Sequence, residues 1–555
     1  MRTSSTNIHY RYYPLDIRIT QFLFLFLFLA PTLLPFRLYA APPENVKLAK
    51  EQILHRGNYG EPQSLDPHKS EGVPSSKIQE DLFEGLTTES LSGDIIPGIA
   101  TSWEISEDKT QYIFKLRKDA RWSNGDLLTA HDFVYSWRRV LDPQTASRRN
   151  QLMFPLLNAF EITSGKLPVE DLGVKALDDY TLEVKLVGPT PYFLGLLVHP
   201  AAFPVHQGAI ETFGEKYARP GNLVSNGAYK LLEWEVNSHI KLERNTHYYN
   251  DKDTTIDTVF FYPINNANSE LQRFRAGDLT FTEDAPISQI DWLKENMSKE
   301  FRIATYLGIY YYGFNLEQPP FKDNLKLRQA LALSVEREII TDKLMRNGMI
   351  PAYSFVPEGT SGYENGPEFE WKNLSRDERL AKAKQLYSEA GYSEDNPLKI
   401  EFRYNTQDMH KKVGLAVAAM WKQHLGVITT PINQEWKVFL EVRNQKRLTQ
   451  VYRGGWIGDY NDPVAFLDIM TSFSEMNNSG YNNKEYDRLL GVAAVETNPL
   501  ARANYLKRAE VLLLADAPVI PLCYYVTKRL VSNKLGGYED NLTDRHFSRY
   551  MYILE

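Results

Sequence analysis

Beyond its first forty residues the chain mixes strand-period and helix-period segments throughout, with no low-complexity linker, heptad seam or fixed-length repeat between them. Tyr112, Phe114 and Leu116 alternate with Ile113, Lys115 and Arg117 as in a half-buried strand. Tyr180 to Leu186 and Ile240 to Glu243 repeat that pattern. Helical spacing governs Asp323 to Met345, where Leu327, Ala330, Leu331, Val335, Ile339 and Leu344 share a face. It also governs Asp377 to Leu386, which runs toward the stop signal Gly391. A chain of this kind folds into mixed α/β domains whose segments are close in space but interrupted in sequence. At 555 residues it is too long for one core, so clefts between lobes are expected.

Composition narrows the function classes. With 43% hydrophobic and 24% charged residues the chain is globular rather than disordered or collagen-like. A net charge of −7 argues against a nucleic-acid partner that needs phosphate neutralisation. Cys523 is the single cysteine, which rules out an intramolecular disulfide and any cysteine-based metal centre within one chain.

The N-terminus has the pattern of a signal peptide. Arg2, Arg11 and Arg18 precede the apolar run Phe22 to Ala30. Pro31, Pro35 and Arg37 then break the apolar character, short of the roughly 20 residues a membrane-spanning helix needs. Cleavage is expected near Ala40 or Ala41, with residues 1–40 removed. No cysteine lies nearby to carry a lipid.

Catalytic patterns are missing. The chain has no GxSxG, HExxH, GxxxxGK[ST] or GxGxxG motif, and its eleven histidines are scattered, His199 and His206 among them. Asp459 and Asp462 offer two carboxylates, as a glycosidase dyad would, but dyads usually draw on separate strands or loops. Tyrosine stands out instead, with 33 residues and clusters at Tyr310–Tyr312 and Tyr524–Tyr525, and it suits either a core or a binding cleft. In the segment Arg453 to Pro463, three glycines surround Trp456 and an acid, Asp459, comes directly after the last of them. That combination suits an extended ligand lying against main chain, with Asp459 holding a cation; a tight turn packing its Trp is the alternative.

These residues carry a resemblance that covers nearly the whole chain after the leader. Ser64 to Lys69, Glu71 to Pro74, Asp81 to Leu86, Phe114 to Gly125, Asp132 to Trp137, Asn226 to Tyr229, His410 to Lys412, Asn433 to Trp436 and Gly455 to Pro463 occur in the order and spacing of one family. The chain resembles the periplasmic oligopeptide-binding proteins of bacterial peptide permeases, which belong to the solute-binding proteins feeding ABC importers. The resemblance implies an α/β periplasmic-binding-protein fold, type II-like, with two hinged lobes and an additional third domain. Lobe I would comprise residues 41–84, 208–309 and 526–555, the additional domain 85–207, and lobe II 310–525.

It also implies roles for particular residues. Asp459 would pair with the α-ammonium of a bound peptide, and the peptide main chain would bond near Val73, Gly455 and Ile457 as an added strand. Arg453 and His410 would meet the opposite end, with Arg443 nearby, and Trp436, Trp456 and Tyr525 would line pockets. The chain departs from the family pattern where Gly308 and Ile457 stand for two cysteines. Gly313 stands for an acid, Arg149 for a tyrosine, and Glu283 and Asp284 for asparagines, so altered pocket electrostatics are expected. The resulting expectation is a monomeric periplasmic receptor without catalytic residue, metal or cofactor, which delivers short peptides to an ABC permease in the inner membrane. A murein-tripeptide receptor, with Arg443 on a D-glutamate carboxylate, is the alternative of the same fold. A secreted peptide or glycan hydrolase is the alternative of another class.

Overall fold

The computed structural model describes residues 42–555 apart from 44, 71, 148 and 475; the expected leader, residues 1–40, lies outside them. So do the side chains of residues 408, 436 and 437. Among the described residues no helix is long and apolar enough to cross a membrane.

Three sheets organise the chain. In the first, Ile53–Gly57 runs parallel to Thr258–Tyr262, which continues antiparallel to His239–Arg244 and then Tyr229–Glu235. Leu54 lies opposite Val259, and both are fully buried. The second sheet is antiparallel and orders Ala100–Ile105, Gln111–Leu116, Thr181–Lys185 and Val174–Asp178. Its alternation agrees with the sequence pattern: Tyr112, Phe114 and Leu116 point into the core, which is continuous with that of the first sheet.

The third sheet carries the site. Its six strands run in the order Ile350–Pro351, Val519–Leu530, Phe301–Phe314, Val451–Ile457, Lys399–Asn405 and Ile428–Gln434. Each of the first four runs antiparallel to its neighbour, and the last two run parallel to Val451–Ile457. Its two faces bury separate cores. Tyr310 and Tyr312 enter one with Phe402 and Trp421, whereas Ile309 and Tyr311 enter the other with Tyr452 and Phe466. The tyrosine triplet is therefore core, and strand alternation explains its split. The same alternation separates Tyr524, buried on Ser354 through its hydroxyl, from Tyr525. Cys523, in the same strand, is buried with its thiol 3.6 Å from the Met349 sulfur, and burial pushes its pKa up to about 12.

Two helix expectations met different outcomes. Arg376–Glu389 forms behind a capping box, in which Ser375 Oγ accepts from the Glu378 amide and the Glu378 carboxylate accepts from the Ser375 amide. Gly391 lies just beyond at φ +94°. The single helix expected over Asp323 to Met345 is broken, however. An α-helix covers Leu325–Leu333 and wider π-type turns cover Ile339–Met345. Between them the buried Arg337 donates to the carbonyls of Ala332, Val335, Ala352 and Pro521, taking acceptors that a continuous helix would use. Ile339 is consequently exposed rather than on the buried face.

Candidate functional site

Val451–Ile457 occupies the middle of the third sheet, yet only one of its edges is fully paired. Toward Phe301–Phe314 the ladder runs unbroken from Val451 opposite Phe314 to Ile457 opposite Gly308. Toward Lys399–Asn405 the pairing covers only Val451 and Tyr452. From Arg453 to Ile457 the outer edge has no strand partner among the described residues, which leaves a row of main-chain groups open to an added strand. The glycines serve the packing of this strand. A Cβ at Gly454 would lie 2.3 Å from the Tyr311 ring, and one at Gly455 2.8 Å from the Tyr525 hydroxyl. Gly308 and Ile457, the two positions where the family pattern has cysteines, are direct ladder partners.

A cleft of about 610 Å³ opens beside this edge. Seven of the expected site residues line it: Val73, Arg453, Gly455, Trp456, Ile457, Asp459 and Tyr525. Val73, first residue of the helix Val73–Leu82, and Ile457 are exposed apolar side chains, one on each wall. Lys77, Glu80, Arg149, Asp544 and Arg545 complete the charged lining, and His199 also faces the cleft.

Asp459 sits just past the strand in a loop fixed from several sides. Trp456 Nε1 donates to the Ala465 carbonyl at 2.6 Å, and Asn461 Oδ1 accepts from the Ser361 amide at 2.9 Å. Both oxygens of Asp462 accept from Arg502 at 2.9 Å, and one also accepts the Val464 amide. Tyr460 stacks on Tyr192 with centroids 4.5 Å apart, which ties the loop to residues of the second sheet's side of the molecule. The Asp459 carboxylate itself is 3.5 Å from Arg149. Burial pushes its carboxyl above the usual range, against the opposing pull of Arg149 and Arg545.

At the strand's other end, Arg453 Nη2 donates to the Tyr525 hydroxyl at 2.8 Å, and the guanidinium lies 5.0 Å from the Tyr310 ring centre. No carboxylate pairs with Arg453 among the described residues, and its Nε is buried without a hydrogen-bond partner. A cation held this way is poised for an incoming anion.

Two expected residues fall elsewhere, and the side chain of a third is not described. His410, on the helix Asp408–Leu425, is buried behind the cleft with Nδ1 3.2 Å from the Tyr310 hydroxyl. Burial and the neighbouring Arg453 lower its pKa to about 3, so it brings no charge. Arg443, on the helix Trp436–Gln445, lies 5.5 Å from the Phe439 ring centre and outside the cleft lining. The Trp436 side chain is outside the described residues.

The lower wall is a buried charge network. Lys77 bonds Glu283 and, at 3.0 Å, Asp544; Asp544 also accepts from Arg529 at 2.6 Å. Arg545 pairs with Glu80 at 3.3 Å and Glu89 at 2.5 Å. Glu283 balances Lys77 and Arg529, and Asp284 pairs with Lys528 at 3.2 Å, so these two acids answer internal cations rather than ligand. Partners such as Lys77 and Asp544 are 467 positions apart, and no local pattern announces them. His199 lines the cleft as a neutral ring, its Nδ1 accepting the Ala201 amide at 3.1 Å.

A strand edge open beside a cleft, with an acid at one end and a guanidinium without an acid partner among the described residues at the other, suits a receptor for an extended solute. Residues 94–478 match the family described as bacterial extracellular solute-binding proteins, family 5 Middle. The chain belongs to that family, and its mixed α/β fold is the one the family's solved structures share. It is 44% identical over 523 residues to the periplasmic oligopeptide-binding protein OppA of Escherichia coli K12, covering 93% of this chain and 95% of that protein. Among solved structures, the murein tripeptide-binding protein MppA in its unliganded open form is 38% identical, with a TM-score of 0.83, and covers 92% of this chain and 99% of that one. Haemophilus influenzae OppA in complex with the peptide RPPGFSPFR is 39% identical, with a TM-score of 0.76 over 92% of this chain and 100% of that one.

Proposed function

We propose that the chain is a monomeric periplasmic receptor that captures short peptides and delivers them to an ABC permease of the inner membrane. The observation that carries this reading is the open edge from Arg453 to Ile457, flanked by Asp459 and the unpaired Arg453. A peptide adds to that edge as a strand, its main chain supplying the bonds and its side chains projecting alternately. Its ammonium meets Asp459 and its carboxylate meets Arg453. The two residues are six positions apart, at most about 20 Å of chain if fully extended, a span that fits a peptide of a few residues between the two charges. Binding closes the cleft because the peptide touches both walls, giving the closed state contacts the open one lacks. On this reading residues 41–84, 208–309 and 526–555 form lobe I, 85–207 the additional domain and 310–525 lobe II.

Incubation of the full-length mature protein with a defined peptide mixture, with native mass spectrometry as the readout, tests the proposal. Intact peptides in one-to-one complexes are expected, and cleaved products would instead establish the hydrolase reading. That rival has lost its nearest second acid, since both Asp462 oxygens are taken up by Arg502. A murein tripeptide is the second candidate ligand, supported by the likeness to MppA, although Arg443, the residue expected to hold its D-glutamate carboxylate, lies outside the cleft lining. Murein tripeptide and a linear tripeptide of ordinary L-residues, titrated side by side, rank the two.

Arg453 supports a prediction of its own. Amidating a peptide's C-terminus is expected to weaken binding on the order of tenfold, through loss of a charge-assisted bond. Arg453→Met should bring the free-acid and amide forms to equal affinity. A Met variant that still prefers the free acid would move the carboxylate site elsewhere.

A further inference from the structure

Asp459 is not a vacant anion in this chain. Arg149 reaches it from residues outside the third sheet, 3.5 Å from its Oδ1, with each side chain about 30% exposed (31% and 29%). Among the described residues Asp459 is the only acid paired with Arg149. The other acids on the cleft wall are already committed, Glu80 to Arg545 and Asp544 to Lys77 and Arg529. A peptide ammonium arriving at Asp459 therefore brings a second cation to a single carboxylate. Arg149 is left half-buried without full compensation, and a desolvated unpaired charge is costly.

The balance is restored when the ligand carries its own anion beside its amine. From the pairing of Arg149 with Asp459 we infer that Arg149 is a specificity-determining residue that selects ligands with an acidic side chain on the first residue, Asp or Glu. The ligand ammonium then sits on Asp459 while the ligand's side-chain carboxylate takes the planar fork of Arg149, and the four charges sum to zero. A basic first residue places three cations around one acid and is selected against.

This inference rests on the reading of Asp459 as the ammonium partner, and the experiment separates the two. Calorimetry of the full-length mature protein, freed of co-purified ligand, compares Glu-Ala-Ala, Gln-Ala-Ala and Lys-Ala-Ala, each with a free and an acetylated N-terminus, on the parent and on Arg149→Gln. The parent is expected to bind Glu-Ala-Ala about five- to tenfold more tightly than Gln-Ala-Ala, as suits a partly exposed charge pair, and Lys-Ala-Ala more weakly than either. Arg149→Gln should abolish the Glu-over-Gln ratio, and Arg149→Lys should retain part of it. A parent with no acid preference, or the same ratio in parent and Arg149→Gln, overturns the role of Arg149. Equal affinity for free and acetylated peptides overturns the Asp459 reading instead. Should Arg149→Gln fail to fold, the salt dependence of the parent's ratio decides: a ratio that shrinks as salt rises supports the pair, and one indifferent to salt rejects it.

Discussion

Asp459→Asn is expected to weaken binding of free-amine peptides by about 2–5 kcal/mol, the range for removing one member of a desolvated charge pair. That corresponds to roughly 30-fold or more in Kd. Acetylated peptides, already deprived of the ammonium, should bind the variant and the parent alike. Binding should also fail on acidification. The carboxylate must be charged to hold an ammonium, and burial raises its pKa, so affinity is lost at a higher pH than an ordinary aspartate would give. For the unliganded fold the sign is opposite. A carboxyl whose pKa is raised on folding contributes stability below its unfolded pKa and loses it as pH rises through the folded value. At pH 7 the uncharged asparagine relieves that burial cost but leaves the partly exposed Arg149 without its acid, so the Tm is expected to stay close to the parent's. A variant that loses binding and also melts well below the parent would show that Asp459 supports the fold rather than the ligand.

Asp544→Ala is expected to cost about 3–5 kcal/mol of stability at pH 7, because it leaves the buried cations Lys77 and Arg529 sharing Glu283 alone, with one positive charge uncompensated. Burial alone pushes the Asp544 carboxyl up, but Arg529, Lys77 and the bond from His546 outweigh it and hold the group well below the usual carboxylate range. That direction sets the pH dependence. The contribution is fully present above the unfolded pKa near 4 and fades as pH falls toward the folded value. Urea titrations from pH 7 to pH 3 should show the parent converging on Asp544→Ala as the solution becomes acid. Asp544→Asn, which keeps the shape, should fall between them. A constant gap between parent and Ala variant down to pH 3 would count against an electrostatic origin.

Short-range patterns account for much of the fold, and their failures have identifiable causes. Strand alternation around Phe114, the capping box at Ser375 and the glycine-bracketed Trp456 are features whose signals lie within a few residues. The helix expected over Asp323 to Met345 is broken because Arg337, charged and nominally a surface residue, is buried to satisfy carbonyls contributed by two other segments. For the site, seven of the expected residues do converge on one cleft, since one strand and the loop after it carry five of them. His410 is legible in the sequence as a position but not as a neutral, inward-facing ring, which depends on the third dimension. The Arg149 pairing is equally out of reach, because 310 positions separate the partners and no spacing rule links them.

The burial of Cys523 has a practical consequence. Its thiol, packed against Met349 and with its pKa raised to about 12, is inert to maleimides while the fold is intact. The natural chain is thus a silent background for site-directed labelling. One new surface cysteine on each side of the cleft, carrying a donor and an acceptor dye, would test the proposed closure on peptide binding one molecule at a time.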